Sequence, residues 1–190
     1  MMHYVRSILC ATVISLSLGG CQMMIPEAQG LKNTGWVIPN YERQDQVEIQ
    51  WKQHSFSFLL YQQQKGQILE LIALSLTGQP LFKVQYDGQE VKVLQRIDAM
   101  KLLPFDYLVR DVLYATYPLF AQLQASHLRV KLEHDTQKSV QTFTVSMQQN
   151  QQQNKVFVIR YLQDRVELDN VQVPYQMVLS EIDNTLEHQE

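Results

Sequence analysis

The sequence predicts an α+β protein, mainly antiparallel β, in which a curved half-barrel sheet of about eight to eleven strands carries a helical insert across its concave face. Apolar and polar residues alternate at period two before residue 100 and again after residue 127, which indicates strands. Between about residues 105 and 124 the apolar residues recur at helical spacing. An amphipathic helix has to bury its apolar stripe, and the inner face of the sheet offers the surface for it.

The clearest strands precede the insert. Phe56, Phe58 and Leu60 alternate with serines, which gives the strand one apolar face. Residues 68–76 are apolar at nearly every position. A strand with this composition is expected to be covered on both sides.

A hairpin is predicted after these strands. Asp87-Gly88 is typical of a two-residue hairpin turn. With that turn Val84 lies opposite Val91 and Phe82 lies opposite Val93, so the apolar sides of the two strands coincide.

The helical insert has recognisable start and stop signals. Pro104 stands just before it, and Asp106 lies in the first turn, where negative charge complements the helix dipole. Pro118 should stop or kink the helix, which leaves residues 119–124 as a second short helical piece. After the insert, strands are predicted at meander spacing over residues 142–147, 156–161, 165–168 and 173–180.

The first 20 residues are predicted to be a signal peptide. Arg6 supplies a positive charge, an apolar run follows over residues 8–18, and two small residues, Gly19-Gly20, end it. A transmembrane helix needs about 20 apolar residues. This run is shorter, so we expect it to be removed rather than to span the membrane.

Leu18-Gly19-Gly20-Cys21 is similar to the lipobox of bacterial lipoproteins. That resemblance implies a diacylglycerol and an N-acyl chain on Cys21, which would hold the protein firmly on a bilayer. The next residue, Gln22, is not aspartate, which by the sorting rule of such lipoproteins favours the periplasmic side of the outer membrane. The alternative is an ordinary secretory peptide with a chance cysteine after its cleavage site.

Composition limits the remaining possibilities. Without residues 1–20 the chain has 15 basic and 19 acidic residues, a balance that argues against a nucleic-acid partner. No cysteine follows Cys21, so we expect no disulfide and no thiol chemistry. We expect a tether over residues 21–46, a single domain over 47–182, a polar tail over 183–190, and a monomer.

The sequence offers little catalytic chemistry. His127 and His134 have no acidic residue at a spacing that would complete a metal site, and we expect neither a metal nor a catalytic set. Asp106 and Arg110 form an i,i+4 pair that is expected on a solvated helix face; alternatively Arg110 clamps a carboxylate or phosphate at a cavity mouth. Aromatic residues of the insert are expected in the core, with a ligand-facing role as the alternative: Tyr107, Tyr114, Tyr117 and Phe120.

The segments "ALSLTGQPLFKVQYDG", "LVRDVLYATYPL" and "VFVIRY", taken in this order after a lipobox, resemble a family of bacterial lipoproteins known as a domain of unknown function. Members of that family often lie in gene clusters for aryl polyene or related fatty-acyl products. The layout also resembles the lipoprotein-localisation carrier LolA and its outer-membrane receptor LolB, whose half-barrel and helical lid enclose acyl chains. Both resemblances imply a fold and a class of ligand, and neither supplies a catalytic residue.

These observations predict a non-catalytic, lipid-anchored protein that binds, receives or presents a hydrophobic ligand, with a lipoprotein or lipid carrier as partner and no cofactor beyond the lipid on Cys21. The alternative is a scaffold lipoprotein of an envelope complex, with a filled core and an exposed apolar patch. The candidates for lining a ligand cavity, each equally suited to a solid core, are Phe58, Leu60, Ile72, Leu74, Phe82, Val84, Val109, Val112 and Leu113.

Overall fold

The computed structural model describes residues 27–33, 35, 37–117, 120, 128–135, 140–149 and 152–182. Within them, ten strands form one antiparallel sheet in the order β5-β4-β3-β2-β1-β10-β9-β8-β7-β6. Strands β5 and β6 are its two edges, so the sheet stays open. The strands are β1 Glu42–Trp51, β2 His54–Lys65, β3 Ile68–Leu74, β4 Pro80–Tyr86, β5 Val91–Arg96, β6 Leu128–Asp135, β7 Val140–Gln149, β8 Gln152–Tyr161, β9 Val166–Asn170 and β10 Tyr175–Glu181.

The predicted fold class is confirmed. Five strands precede the helical insert and five follow it, and β1 pairs with β10 so that both halves share one sheet. The insert packs on one face of this sheet, as the resemblance to LolA and LolB implied. The described residues contain no helix long and apolar enough to cross a membrane.

Helix α1 spans Phe105–Thr116 and begins, as predicted, directly after Pro104. Ten of its twelve residues are buried, so the helix is enclosed nearly all round rather than on a single stripe. It ends before Pro118, with the Tyr117 N–H bonded to the Leu113 carbonyl. A short 3₁₀ turn, Asp98–Met100, precedes it. The predicted second piece, residues 119–124, lies outside the described residues except for the buried Phe120.

The β4–β5 hairpin exists, but the predicted two-residue turn is wrong. Four residues, 87–90, form the turn, and Val84 lies opposite Val93. The Asp87 carboxylate accepts the backbone N–H groups of Gln89 and Glu90 at 2.8 and 3.0 Å, which fixes the longer turn. A register shift between Lys83 and Val84 then moves Phe82 opposite Arg96.

The apolar residues of strand β3 are fully buried on one side only, contrary to the prediction for residues 68–76. Leu69, Leu71 and Ala73 are buried on the face that packs under α1. Alternate residues of the strand point to the other, convex face, where Ile68 is exposed and Ile72 and Leu74 are half-buried. The residue that is buried on this face is the charged Glu70.

The segment before β1 is packed, although residues 21–46 were assigned to a tether. Ala28 and Leu31 are buried, and the Tyr86 hydroxyl donates to the Leu31 carbonyl. The Ile38 N–H donates to the Tyr117 hydroxyl at 2.6 Å. β1 itself begins at Glu42, five residues before the predicted domain boundary.

The sheet has two distinct ends. One of them, which we call the insert end, carries the β1–β2, β3–β4 and β9–β10 turns. Helix α1 begins at this end, where Leu103 and Pro104 lie beside Trp51 and Tyr175. The opposite end carries the β2–β3, β4–β5 and β8–β9 turns. Helix α1 ends near the opposite end, where Tyr117 meets Gln64.

Candidate functional site

The first candidate site is the interior between α1 and the inner face of the sheet. Seven of the nine predicted cavity residues meet there, and each is at most 1 % exposed: Phe58, Leu60, Phe82, Val84, Val109, Val112 and Leu113. The other two, Ile72 and Leu74, lie on the convex face and do not line this interior.

Aromatic rings fill much of the interior. Phe82 packs edge-on against Phe58 and Phe105, with ring centroids 5.5 and 5.1 Å apart. Tyr114 packs in the same way against Phe157 and Phe120, at 4.8 and 5.3 Å. The space between α1 and the insert end of the sheet measures about 10 Å³, too small for more than one water molecule.

An ion pair is buried inside this apolar interior. Arg110 and Asp111 both have fully buried side chains, and the Arg110 Nε donates to Asp111 Oδ1 at 2.7 Å. The other carboxylate oxygen, Oδ2, accepts hydrogen bonds from Asn170 Nδ2 at 2.5 Å and from the Tyr175 hydroxyl. Burial raises the pKa of Tyr175 well above its ordinary value, with a further contribution from the Asp111 charge, so the phenol stays a donor.

The guanidinium of Arg110 is only partly satisfied. Its Nη1 donates to the Gln29 carbonyl at 3.1 Å and to Gln172 Oε1 at 2.7 Å. Its Nη2 has no hydrogen-bond partner within the described part of the chain. The charge lies between two rings instead, 4.8 Å from the centroid of Tyr107 and 4.9 Å from that of Phe157, which favours a cation.

A second unpaired polar atom lies one helical turn away. The Tyr114 hydroxyl is buried and has no partner among the described residues. Arg110 and Tyr114 are four residues apart in α1, so they share a face of the helix. Burial also raises the pKa of Tyr114, which keeps the hydroxyl protonated. The pair offers unused N–H and O–H donors inside an apolar space.

The predicted Asp106–Arg110 pair on a solvated helix face is wrong. Asp106 is exposed, and Arg110 turns inward to Asp111. Partial removal of the Asp106 carboxyl from water and the nearby Glu27 carboxylate raise its pKa. Helical spacing could have shown that positions 110 and 111 share a face with the core tyrosines at 107 and 114. Asn170 and Gln172 are distant in sequence, and no local signal identifies them.

The aromatic group of the insert lies in the core, as predicted. Tyr107, Tyr114, Tyr117 and Phe120 are all buried. Tyr117 ties the helix to the sheet, because its hydroxyl donates to Gln64 Oε1 at 3.3 Å. Thr116 makes a similar contact to Gln62 Oε1 at 3.1 Å.

The second candidate site is an open groove of about 500 Å³ on the convex face. Tyr61, Ile72 and Leu74 supply apolar surface to it. Glu70 lies beside them and accepts salt bridges from Lys65 and Lys83, both at 2.8 Å. These two lysines lower the pKa of Glu70 to about 2. Glu70 is thus already paired, and Arg43, also in the groove, pairs with Asp45 and Glu181, so these two groups have little capacity left for a charged ligand.

Two sequence predictions cannot be compared with the geometry. Cys21, the predicted lipidation site, and His127 lie outside the described residues. His134 lies in β6. Within the residues that the structure does describe, no group of three or more metal-ligating side chains occurs.

Comparison with known proteins gives a family match. A model of the family described as "Protein of unknown function (DUF3261)" matches residues 42–183, which is most of the chain. No curated protein matches it.

Two solved structures are similar in outline. A putative outer membrane lipoprotein-sorting protein domain from Vibrio parahaemolyticus is 12 % identical, with 80 % of this chain and 86 % of that one covered and a TM-score of 0.29. A DUF1329 family protein from Desulfovibrio piger is 7 % identical, with 76 % and 85 % covered and a TM-score of 0.30. Likeness at this level carries no conclusion about ligand or activity.

Proposed function

We propose, for a chain that belongs to the DUF3261 family of proteins of unknown function, a non-catalytic role in binding an amphiphile with an acyl chain and an acidic head group. The protein is held by lipid on Cys21 at the periplasmic face of the outer membrane. The ligand lies between α1 and the inner face of the sheet. Its source is the acyl chain of another lipoprotein or a lipid-like product, received or presented at the membrane.

The observation that carries this proposal is the pair of unused donors in an apolar interior. An unpaired buried polar group costs about 1–3 kcal/mol, and more when it is charged, so Arg110 Nη2 and the Tyr114 hydroxyl are costly features for a core that only has to be stable. A carboxylate or phosphate bound in this interior would supply the acceptor that these donors lack. The surrounding side chains of Val109, Leu113 and Phe157 suit an acyl tail.

Binding in this place requires α1 to move away from the sheet. Few polar contacts hold the helix at its C-terminal end, namely those of Thr116 and Tyr117 described above and the Tyr161 hydroxyl, which donates to the Tyr114 carbonyl at 3.0 Å. In the middle of the helix, Arg110 and Asp111 bond to Gln172, Asn170 and Tyr175. The remaining contact is apolar, and an acyl chain can replace apolar contacts with little loss. The C-terminal half of the helix would therefore act as a lid that the ligand displaces.

The experiment is a titration of the delipidated mature protein with a dansyl-labelled fatty acid and with the matching fatty alcohol. We expect saturable binding of both, with the acid bound about tenfold more tightly because a charged acceptor makes the stronger hydrogen bond. The absence of saturable uptake would contradict the proposal. Equal affinity for acid and alcohol would exclude Arg110 and Tyr114 as the head-group site.

A matched pair of variants separates binding from folding. Tyr114→Phe removes a hydroxyl that has no partner, so the free energy of unfolding should stay the same or rise. Its affinity for the acid should nevertheless fall several-fold. Tyr61→Phe, on the convex face, is the control and should leave the affinity unchanged. Equal affinities in the two variants would argue against the proposed head-group site.

A scaffold role remains the second candidate, favoured by the filled interior and by the open edge of β5. Residues 92–96 of that strand are all exposed, including Val93 and Leu94. An exposed edge strand can pair with a strand of a partner. A photo-crosslinking residue at position 94, compared with one at the exposed Glu48 of β1, tests this in intact cells. One stoichiometric partner at position 94 would support the scaffold, and transient contacts would support the carrier.

A further inference from the structure

The insert end of the sheet exposes large apolar side chains. Leu76 in the β3–β4 turn is 60 % exposed, Ile97 after β5 is 38 %, and Leu102 before α1 is 64 %. Val171 in the β9–β10 turn is 50 % exposed. Of the seven exposed large apolar residues in the described part of the chain, four thus lie at this one end. Scattered single residues would need no explanation, but a cluster at one end does.

The opposite end has a different character. Its described turns carry the charged residues Asp87, Glu90, Asp164 and Arg165, and Arg165 pairs with Asp164 at 3.2 Å. Ile68, 37 % exposed, is the one large apolar residue that these turns leave open. Both ends of the described sheet carry exposed charges, and they differ in the number of large apolar side chains that they expose.

The chain reaches the domain at the insert end. Glu27 lies beside Asp106 in the first turn of α1, and the carbonyl of Gln29 bonds to Arg110 in the next turn. From there the segment runs along the helix to Ile38, which meets Tyr117 at the opposite end. Only five residues lie between Cys21 and Glu27, so the two Cα atoms are six residue steps apart. Even fully extended, six steps span at most about 20 Å.

Two lysines lie beside the exposed apolar residues. Lys52 in the β1–β2 turn is exposed and lies 5.4 Å above the ring of Trp51. Lys101 is adjacent to Leu102 and bonds only to the largely exposed Asp98. Lysines next to apolar and aromatic side chains suit the surface of an anionic phospholipid leaflet, where the ammonium groups meet phosphates.

We propose that the insert end rests on the periplasmic leaflet of the outer membrane, with Leu76, Ile97, Leu102 and Val171 in contact with lipid. This inference relies on the anchor at Cys21 that the proposed function includes. The short stretch between anchor and domain keeps this end close to the bilayer. The seam between α1 and the sheet, at Trp51, Leu108 and Tyr175, also lies at this end.

The test recreates the anchor chemically. The mature chain has no cysteine other than Cys21, so this thiol can be coupled to a maleimide phospholipid in vesicles of phosphatidylethanolamine and phosphatidylglycerol. Hydrogen–deuterium exchange is compared between coupled and free protein. We expect exchange to slow about threefold or more in residues 75–79, 97–103 and 171–173 and to stay unchanged in residues 87–90 and 162–165.

Two variants make the test specific. The double substitution L76Q/L102Q changes exposed side chains only, and it should abolish the slowing at the insert end. I68Q, an equivalent change at the opposite end, should leave the slowing intact. Slowing at the opposite end, or at neither, would overturn the inference.

The exchange result does not depend on whether cells acylate Cys21, because the maleimide phospholipid provides the anchor. Acylation in cells is determined in a separate experiment, by measuring the mass of the protein extracted from membranes. An unacylated chain would contradict the proposed anchor, while the exchange pattern would still decide whether the insert end faces lipid.

Discussion

At the scale of single residues, the Arg110–Asp111 pair is the least expected feature of the interior. Removing two charges from water is expensive, and well-packed apolar residues of similar size would often be as stable or more so. Asp111 is fully satisfied by Arg110, Asn170 and Tyr175, whereas Arg110 keeps one unused N–H group. The pair carries no net charge, so the imbalance is one of hydrogen bonds: Arg110 keeps an unused donor, which the head group of an acidic ligand would accept.

Removal of the Asp111 carboxylate should destabilise the folded protein strongly. We expect Asp111→Asn to lower the free energy of unfolding by about 3–5 kcal/mol, because it leaves the Arg110 charge buried without its partner. The matched control is Asp106→Asn, on the exposed side of the same helix, which should cost no more than about 0.5 kcal/mol. Urea unfolding followed by circular dichroism measures both. Equal costs would show that the buried pair contributes no special stability.

The ion pairs of Glu70 predict that the free energy of unfolding depends on pH. Its pKa is lowered from 4.5 to about 2 by Lys65 and Lys83, so the folded state binds this proton less readily than the unfolded state. The resulting stabilisation is fully present above about pH 4.5 and is lost as the pH falls toward 2. We expect Glu70→Gln to cost about 1–2 kcal/mol at neutral pH, since partial exposure of the lysines screens the interaction.

The measurement is the midpoint of urea unfolding between pH 7 and pH 2.5, for the native chain, Glu70→Gln and Glu48→Gln. The difference between the native chain and Glu70→Gln should shrink as the pH falls, whereas Glu48→Gln, on the exposed side of β1, should follow the native chain throughout. A constant difference across this range would contradict the assigned ion pairs.

Residue-scale prediction from sequence succeeded where hydrophobicity decides burial. The aromatic residues Tyr107 and Tyr114 of the insert are predicted in the core, and the structure agrees. It failed for Arg110, because a charged side chain was assumed to be solvated. Gln172, which accepts from Arg110, and Asn170, which donates to the neighbouring Asp111, come from another part of the chain, so no sequence window contains the information that buries the pair.

At the scale of elements, side chains in the turns set the register of the strands. The Asp87 carboxylate holds two backbone N–H groups of the β4–β5 turn, and those hydrogen bonds lower its pKa. Gly88 adopts φ 95°, a conformation that favours glycine. The same turn is fixed from outside, because the Asn33 N–H donates to the Gly88 carbonyl at 2.8 Å.

Loss of that carboxylate should weaken the hairpin. We expect Asp87→Ala to lower the free energy of unfolding by about 1 kcal/mol, as for other side chains that cap backbone N–H groups. Asp164→Ala is the control, because Asp164 lies in the β8–β9 turn and bonds only to the side chain of Arg165. Thermal unfolding compares them. A smaller effect at Asp87 than at Asp164 would contradict the role assigned to the turn.

The existence and type of the elements could be read from periodicity, but some of their pairings could not. Alternation at Phe56, Phe58 and Leu60 gave a strand, and Pro104 marked the start of α1, both in agreement with the structure. The hairpin register was wrong because it depends on whether the turn contains two residues or four. The covering of β3 on both sides was wrong because apolar composition does not reveal whether a second layer exists on the convex face.

At the scale of the whole molecule, the sheet order places the first and the last strand of the chain side by side. β1 and β10 are neighbours, so the segment that leads to Cys21 starts from the middle of the sheet and not from an edge. That segment then crosses the face covered by α1, with Ala28 and Leu31 buried. The proposed anchor at Cys21 would therefore be coupled to the proposed lid, since the segment that leads to Cys21 packs beside α1.

The anchor makes its own prediction. Cys21→Ser should move the protein from the membrane fraction to the soluble periplasmic fraction, because several acyl chains make release into water negligible and their absence removes the attachment. Cys10→Ser, inside the predicted signal peptide, is the control and should leave the protein in membranes. Fractionation followed by immunoblotting measures both. Membrane association of Cys21→Ser equal to that of the native chain would contradict a lipid anchor at this residue.

Native mass spectrometry of the protein extracted from cell membranes in mild detergent tests most directly whether an acidic lipid binds under α1. We expect the mass of the mature chain with its covalent lipid, plus a second population that carries one noncovalent acidic lipid or fatty acid. In Tyr114→Phe that second population should shrink, and in Tyr61→Phe it should not. A single population with covalent lipid alone, in every variant, would contradict ligand binding under α1.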